Sequence, residues 1–243
     1  ELLLSAELVL AGDPLVPDDF AVVPVDGDDP AVRQVRDDPV LPQRNAARAR
    51  LVALVADAGI GPEDVDEIFL GHFNGGFVRQ EFTSSLVLQA SDKLRFKPTT
   101  RVENACATGS AAIRQGLTAI DAKRARIVLV VGVEKMTELS GPEIGGVLIK
   151  AAYQKEEGNI EGGFAGVFGR IAELYFQRYG DQSDALARIA AKNHRNGVDN
   201  PYAQMRKDLG YDFCRNVSDK NPMVAGPLKR TDCSLVSDGA AAL

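Results

Sequence analysis

The sequence predicts an α/β fold with a parallel, layered sheet, and three observations carry that prediction. From residue 45 onward, apolar runs of strand length alternate with segments of helical periodicity. The apolar run Ile127-Val128-Leu129-Val130-Val131 contains no polar residue, as expected of a strand covered on both faces. The stretches between strands are long enough to cross over as helices, which parallel neighbours require.

Residues 1–44 stand apart. They hold ten acidic and three basic side chains, and six of the twelve prolines, so the acidity of a chain with net charge −6 is concentrated there. Proline breaks helices and central strands, so 1–44 reads as a divergent acidic, Pro-rich leading segment. Short β-type runs fit Leu2–Leu10 and Phe20–Val25, the second held to an edge by Pro24.

The next domain spans 45–133. Ala47, Leu51, Leu54, Val55 and Ala58 fall at helical spacing, with Asn45 as N-cap and Gly59 just past the end. Gly61-Pro62-Glu63-Asp64 turns the chain into a strand at Val65–Gly71, and a helix is expected near Ser84–Leu94, ended by Pro98. A strand follows at Thr99–Glu103. Ala112, Ile113, Leu117 and Ile120 then mark a helix starting at or just after Cys106, before the strand Ile127–Val133. Residues 134–230 read as an inserted loop domain, with helix-like runs at Val167–Tyr179 and Ser183–Arg195 and a polar segment punctuated by Pro201, Pro222 and Pro227. The pairs Gly145-Gly146 and Gly162-Gly163 match no nucleotide-binding pattern and read as flexible loops. Residues 231–243 read as the start of a second α/β half.

Composition narrows the function. At 45% hydrophobic and 26% charged, the chain has enough apolar residues to build a core and lacks the signature of disorder. No apolar run reaches the length of a bilayer span, so no membrane span is expected. Mild acidity and the lack of a basic cluster with interleaved aromatics argue against nucleic acid as a partner. The three cysteines Cys106, Cys214 and Cys233 form no C-x-x-C pair, which indicates neither a disulfide framework nor a metal site, and points to reduced thiols in a cytoplasmic setting. The sequence opens at Glu1 with no basic region before Leu2, which gives no sign of a secretory signal and reads as a trimmed or incomplete start.

The sharpest local feature is Glu103-Asn104-Ala105-Cys106-Ala107-Thr108-Gly109-Ser110, a thiol at a strand-to-helix turn among small residues. There the unpaired N–H groups and the positive dipole end favour a thiolate and can hold an oxyanion. The small neighbours would admit a bulky thioester. From the spacing alone, Cys106 reads equally as a reactive nucleophile or as a buried small hydrophobe. Cys214 and Cys233, with no helix start behind them, read as structural. His72, directly after a strand, reads as a hydrogen-bonding loop histidine, and His194, at the edge of an apolar helical stripe, as a packing residue.

Several segments together resemble the thiolase superfamily, specifically the sterol-carrier-protein x type and its acetyl-CoA acetyltransferase-like relatives. Asn104 through Ser110 is similar to the nucleophile loop, and Gly132-Val133-Glu134-Lys135-Met136-Thr137 to the signature after the following strand. Lys192-Asn193-His194-Arg195 with Asn200-Pro201-Tyr202-Ala203-Gln204 resembles the loop domain, and Asp232-Cys233-Ser234 with Ser237 through Ala242 the opening of the second half. The resemblance runs from about Asn45 to Leu243. It implies a thiolase-like α/β/α N-terminal half plus loop domain, the second half being essentially absent, and acyl transfer on acyl-CoA or 3-ketoacyl-CoA thioesters, by thiolytic cleavage or Claisen condensation. Cys106 would be the acylated nucleophile and Met136 a substrate contact, with coenzyme A as co-substrate, no permanently bound cofactor and no metal. It also implies a homodimer or higher oligomer, with Thr99–Glu103 pairing its counterpart across a two-fold axis. The family's histidine base and second cysteine would lie beyond Leu243. Two alternatives stay open: a non-catalytic thiolase-fold acyl-CoA-binding or partner subunit, and a thiolase-fold steroid side-chain aldolase with a small accessory subunit.

Overall fold

The computed structural model describes residues 58–243. The β-type runs at Leu2–Leu10 and Phe20–Val25 and most of the helix predicted from Asn45 lie outside the described residues. In chain order the strands and the α-helices of six or more residues are β1 (Glu67–Gly71), β2 (Thr99–Val102), α1 (Thr108–Asp121), β3 (Val128–Glu134), α2 (Gly141–Leu148), α3 (Gly163–Tyr179), α4 (Ser183–Asp199), α5 (Gly210–Arg215), β4 (Met223–Ala225), β5 (Leu228–Lys229) and β6 (Gly239–Ala242). The described chain forms two compact units, one holding residues 58–74, 78–135 and 238–243, the other 75–77 and 136–237.

The first unit is a four-stranded sheet in the order β2-β1-β3-β6. Its first three strands are parallel and β6 runs antiparallel to β3, with Val131 opposite Ala242. Side-chain alternation sets the two faces. Ile68 and Leu129 join Val65, Ala90 and Leu94 in one apolar cluster, while Phe69 and Val130 join Ala112, Ala119 and Ala125 in the other. Full burial of each large side chain here contributes about 1.5–3 kcal/mol. The helix α1 covers the second face with small residues. A Cβ at Gly116 would stand 3.0 Å from a Val130 methyl, so a bare backbone lets the helix settle close to β3.

Two expectations for this unit need correction. The helix expected near Ser84–Leu94 is instead a 3₁₀ segment, Thr83–Ala90, and a single 3₁₀ turn, Asp92–Leu94, separated by an extended Ser91. Thr83, Ser84, Ser85 and Val87 are weak helix formers, and Phe82 enters at φ 57 with no side-chain cap. The sheet is also mixed rather than wholly parallel, because the stretch read as the start of a second half supplies the antiparallel strand β6 beside β3.

The second unit is largely helical, with a β4-β5 hairpin. Where α4 meets α5, Ala187, Ala190 and Cys214 form a small core. Asn221, fully buried, donates to the Phe213 and Asn216 carbonyls at 3.0 and 3.2 Å and accepts the Thr231 N–H at 3.0 Å. The two glycine pairs are not loops. Gly145 and Gly146 lie inside α2, whose start is fixed by a Ser140–Glu143 capping box, and Gly162 and Gly163 form the start of α3.

Candidate active site

After β2 the chain turns sharply, and Cys106 occupies the middle of a 3₁₀ turn, Ala105–Ala107, directly before α1. Its side chain is exposed. The residues just before it are held by their backbone groups. The Asn104 N–H donates to Thr108 Oγ1 at 2.9 Å, and the Asn104 carbonyl accepts from the Ala107 N–H at 2.9 Å. The Ala105 N–H donates to the Glu103 carboxylate, and the Ala105 carbonyl accepts the Thr108 hydroxyl at 2.6 Å. Ala105 adopts φ 46, the left-handed region that costs a residue with a Cβ about 1 kcal/mol or more. Thr108, buried at 8% exposure, bonds both residues through one oxygen. A Cβ on Gly71 would stand 3.2 Å from the Thr108 carbonyl oxygen and 3.3 Å from its methyl, so the glycine makes room for this turn against β1.

His72 and Glu134 lie at the same sheet edge, the carboxyl ends of the parallel strands, where α/β sheets place their sites. His72 follows β1 and is 4% exposed, with Nδ1 2.9 Å from Thr83 Oγ1 and Nε2 3.3 Å from Glu134 Oε1. A carboxylate accepts only, so a neutral ring carries its proton on Nε2 and takes the Thr83 hydroxyl at Nδ1. Glu134 also accepts the Phe73 N–H at 3.0 Å and the Asn74 N–H at 3.2 Å. From β2, Arg101 donates to the His72 carbonyl at 2.8 Å, the Phe73 carbonyl at 2.6 Å and Glu81 at 2.6 Å. Asn74, fully buried, donates to Glu81 at 3.0 Å and accepts the Val78 N–H at 3.0 Å. These bonds pin the ends of all three parallel strands and leave both His72 nitrogens engaged.

Cys214 is fully buried and its thiol is pushed up by burial. Cys233 is half-buried and its thiol is raised by burial and then by the adjacent Asp232 carboxylate. His194 sits half-buried on α4, and Met136 half-buried in the loop after β3, both in the second unit. Among the described residues no His/Cys/Asp/Glu group is arranged to hold a metal ion, and no helix is long and apolar enough to cross a membrane. Sequence reasoning gave no role to Thr108, Glu134 or Arg101. Thr108 and Glu134 lie inside the quoted motifs, whereas nothing local marks Arg101, whose partners come from other segments.

The family described as "Thiolase, N-terminal domain" matches residues 42–209. An acetyl-CoA acetyltransferase of Methanothermobacter thermautotrophicus is 35% identical over 190 residues, 78% of this chain and 48% of that protein. Sterol carrier protein 2 of Oryctolagus cuniculus is 28% identical over 220 residues, 88% of this chain and 38% of that protein. The chain therefore spans about half the length, or less, of these curated relatives. A solved structure of the Ltp2-ChsH2(DUF35) aldolase superposes with a TM-score of 0.58 at 21% identity, covering 79% of this chain and 47% of that one, a likeness of fold.

Proposed function

This chain belongs to the thiolase family, and from that premise we propose that it carries the nucleophile of an acyltransferase acting on coenzyme A thioesters. Cys106 is the acyl acceptor. The observation that carries this reading is an exposed thiol on a turn held by hydrogen bonds of Asn104, Ala105 and Thr108, at the carboxyl ends of three parallel strands. The Cys106 thiolate attacks the thioester carbonyl, a new C–S bond forms, the old one breaks, and coenzyme A leaves as a thiolate that takes a proton. With a 3-ketoacyl thioester, attack falls on the keto carbon, the carbon–carbon bond to the α carbon breaks, and that carbon takes a proton. Coenzyme A then removes the acyl group. Cleavage and condensation share this acyl-cysteine.

His72 is not the base in this scheme, since it is buried with both nitrogens hydrogen-bonded. Met136 is a proposed substrate contact, on the resemblance of its motif. No bound cofactor is required, coenzyme A serving as co-substrate, and three free thiols suit a cytoplasmic setting. The partner is a second copy. The outer edge of β2 has no strand beside it among the described residues, and Phe82 and Phe96, in the segments packed beside or leading into β2, are 77% and 97% exposed.

Intact-mass measurement after incubation with acetyl-CoA or acetoacetyl-CoA tests the reading. An acyl adduct on this chain that vanishes in Cys106→Ala supports it. No adduct with a folded chain, or thioester cleavage that persists in Cys106→Ala, overturns it, the second outcome favouring aldolase chemistry that does not use the thiol.

A further inference from the structure

We infer that Thr108 is the positioning residue for Cys106, a role resting on the acyl-acceptor reading above. The turn is strained at Ala105, where φ is 46, and a strained turn persists only when its surroundings over-determine it. One hydroxyl supplies much of that determination. Thr108 Oγ1 accepts from Asn104 and donates to Ala105, so the two residues preceding Cys106 are bonded through a single atom. The position of that atom is itself fixed. Thr108 is buried at 8% exposure, its own N–H bonds the Ala105 carbonyl, and its methyl lies against the bare backbone of Gly71.

The consequence is chemical. A thiol attacking a thioester must meet the carbonyl carbon on a defined line while the oxygen meets its donors, and a misplacement of about 1 Å costs on the order of a hundredfold in rate. Attack on a small alkyl halide has no oxyanion to place and is far less demanding. Removal of the hydroxyl should therefore separate the two reactions. Serine keeps the bridging oxygen and valine keeps the shape without it.

The experiment compares wild type, Thr108→Ser and Thr108→Val in three measurements: acylation of Cys106 by acetyl-CoA, alkylation by iodoacetamide, and backbone hydrogen exchange of residues 103–107. Thr108→Val is expected to lose tenfold or more in acylation while alkylation changes by less than about threefold, and to lose exchange protection at Asn104. Thr108→Ser should recover both. Equal losses in acylation and alkylation, or unchanged exchange in Thr108→Val, overturn the inference. If wild type is not acylated, the acyl-acceptor reading falls, and the exchange comparison alone decides whether the hydroxyl holds the turn. If Thr108→Val does not fold, Thr108→Ala replaces it.

Discussion

Glu134 closes the end of β3 onto His72, its Oε1 3.3 Å from the imidazole Nε2, while the same carboxylate takes the N–H groups of Phe73 and Asn74. One side chain from one strand thus fixes three consecutive residues beyond the end of its neighbour. The bonds are charge-assisted, and His72 and Asn74 are buried while Glu134 keeps 24% of its side chain exposed.

Glu134→Ala should accordingly be costly. It removes the acceptor for two backbone donors and the imidazole, an expected loss of about 2–4 kcal/mol from the penalty for unsatisfied polar groups. Urea unfolding measures it. A loss within about 0.5 kcal/mol, the ordinary surface range, would show that the network is not a support.

Among the three thiols, Cys106 should be labelled first by iodoacetamide in the folded chain. It is exposed, whereas Cys214 and Cys233 are shielded and their thiols pushed up by burial. Peptide mapping after brief labelling is the measurement, with Cys214 expected to react only after unfolding. Early modification of Cys214 would contradict the packing of α4 on α5.

Asp66 gives a pH-dependent prediction. The Arg126 N–H and then the Ile127 N–H hold its carboxyl below the usual aspartate range, with bonds of 2.8 and 3.2 Å to one oxygen. A group with a depressed folded value stabilises the fold above its unfolded value and loses that contribution as pH falls through the folded one. Asp66→Asn should therefore melt at a lower temperature at neutral pH, with the gap closing below about pH 4. A gap that persists unchanged in acid would point to a cause other than the carboxylate.

Phe96 should matter for association more than for folding. It is 97% exposed and held at φ 67, three residues before β2 begins at Thr99. Phe96→Ser should leave the melting temperature within a few degrees of wild type and weaken self-association measured by light scattering across a concentration series. A wild-type chain that stays monomeric at all concentrations would remove the second-copy reading.

The strands and long helices were legible because they obey simple periods. Ile68, Phe69, Leu129 and Val130 alternate between two faces, and Ala112 and Ala119 recur along one side of α1. The segment Thr83–Leu94 misled because its apolar residues sit at near-helical spacing while Thr83, Ser84 and Ser85 lack helical preference. At the candidate site, Cys106 could be singled out from its small neighbours and the resemblance they carry. The supports could not. Arg101, Glu81 and Glu134 find their partners across strands, through contacts that register and the loop conformation after β1 decide. His72 was legible as a hydrogen-bonding histidine, and its partners were not.

The place of β6 has a consequence for how the chain is made. The sheet's edge beside β3 is completed by residues 239–242, which a ribosome reaches only after synthesising the whole of the second unit. Until then the edge of β3 that β6 covers lacks this partner, and among the described residues the sheet has its three parallel strands. Closing so long a loop is slow, and an open edge at that stage is a site for wrong pairing. In chain order, residues 136–237 are thus an excursion between β3 and its antiparallel partner. A chain arrested before Gly239 would lack the strand that pairs with β3, which makes β6 a checkpoint in biosynthesis.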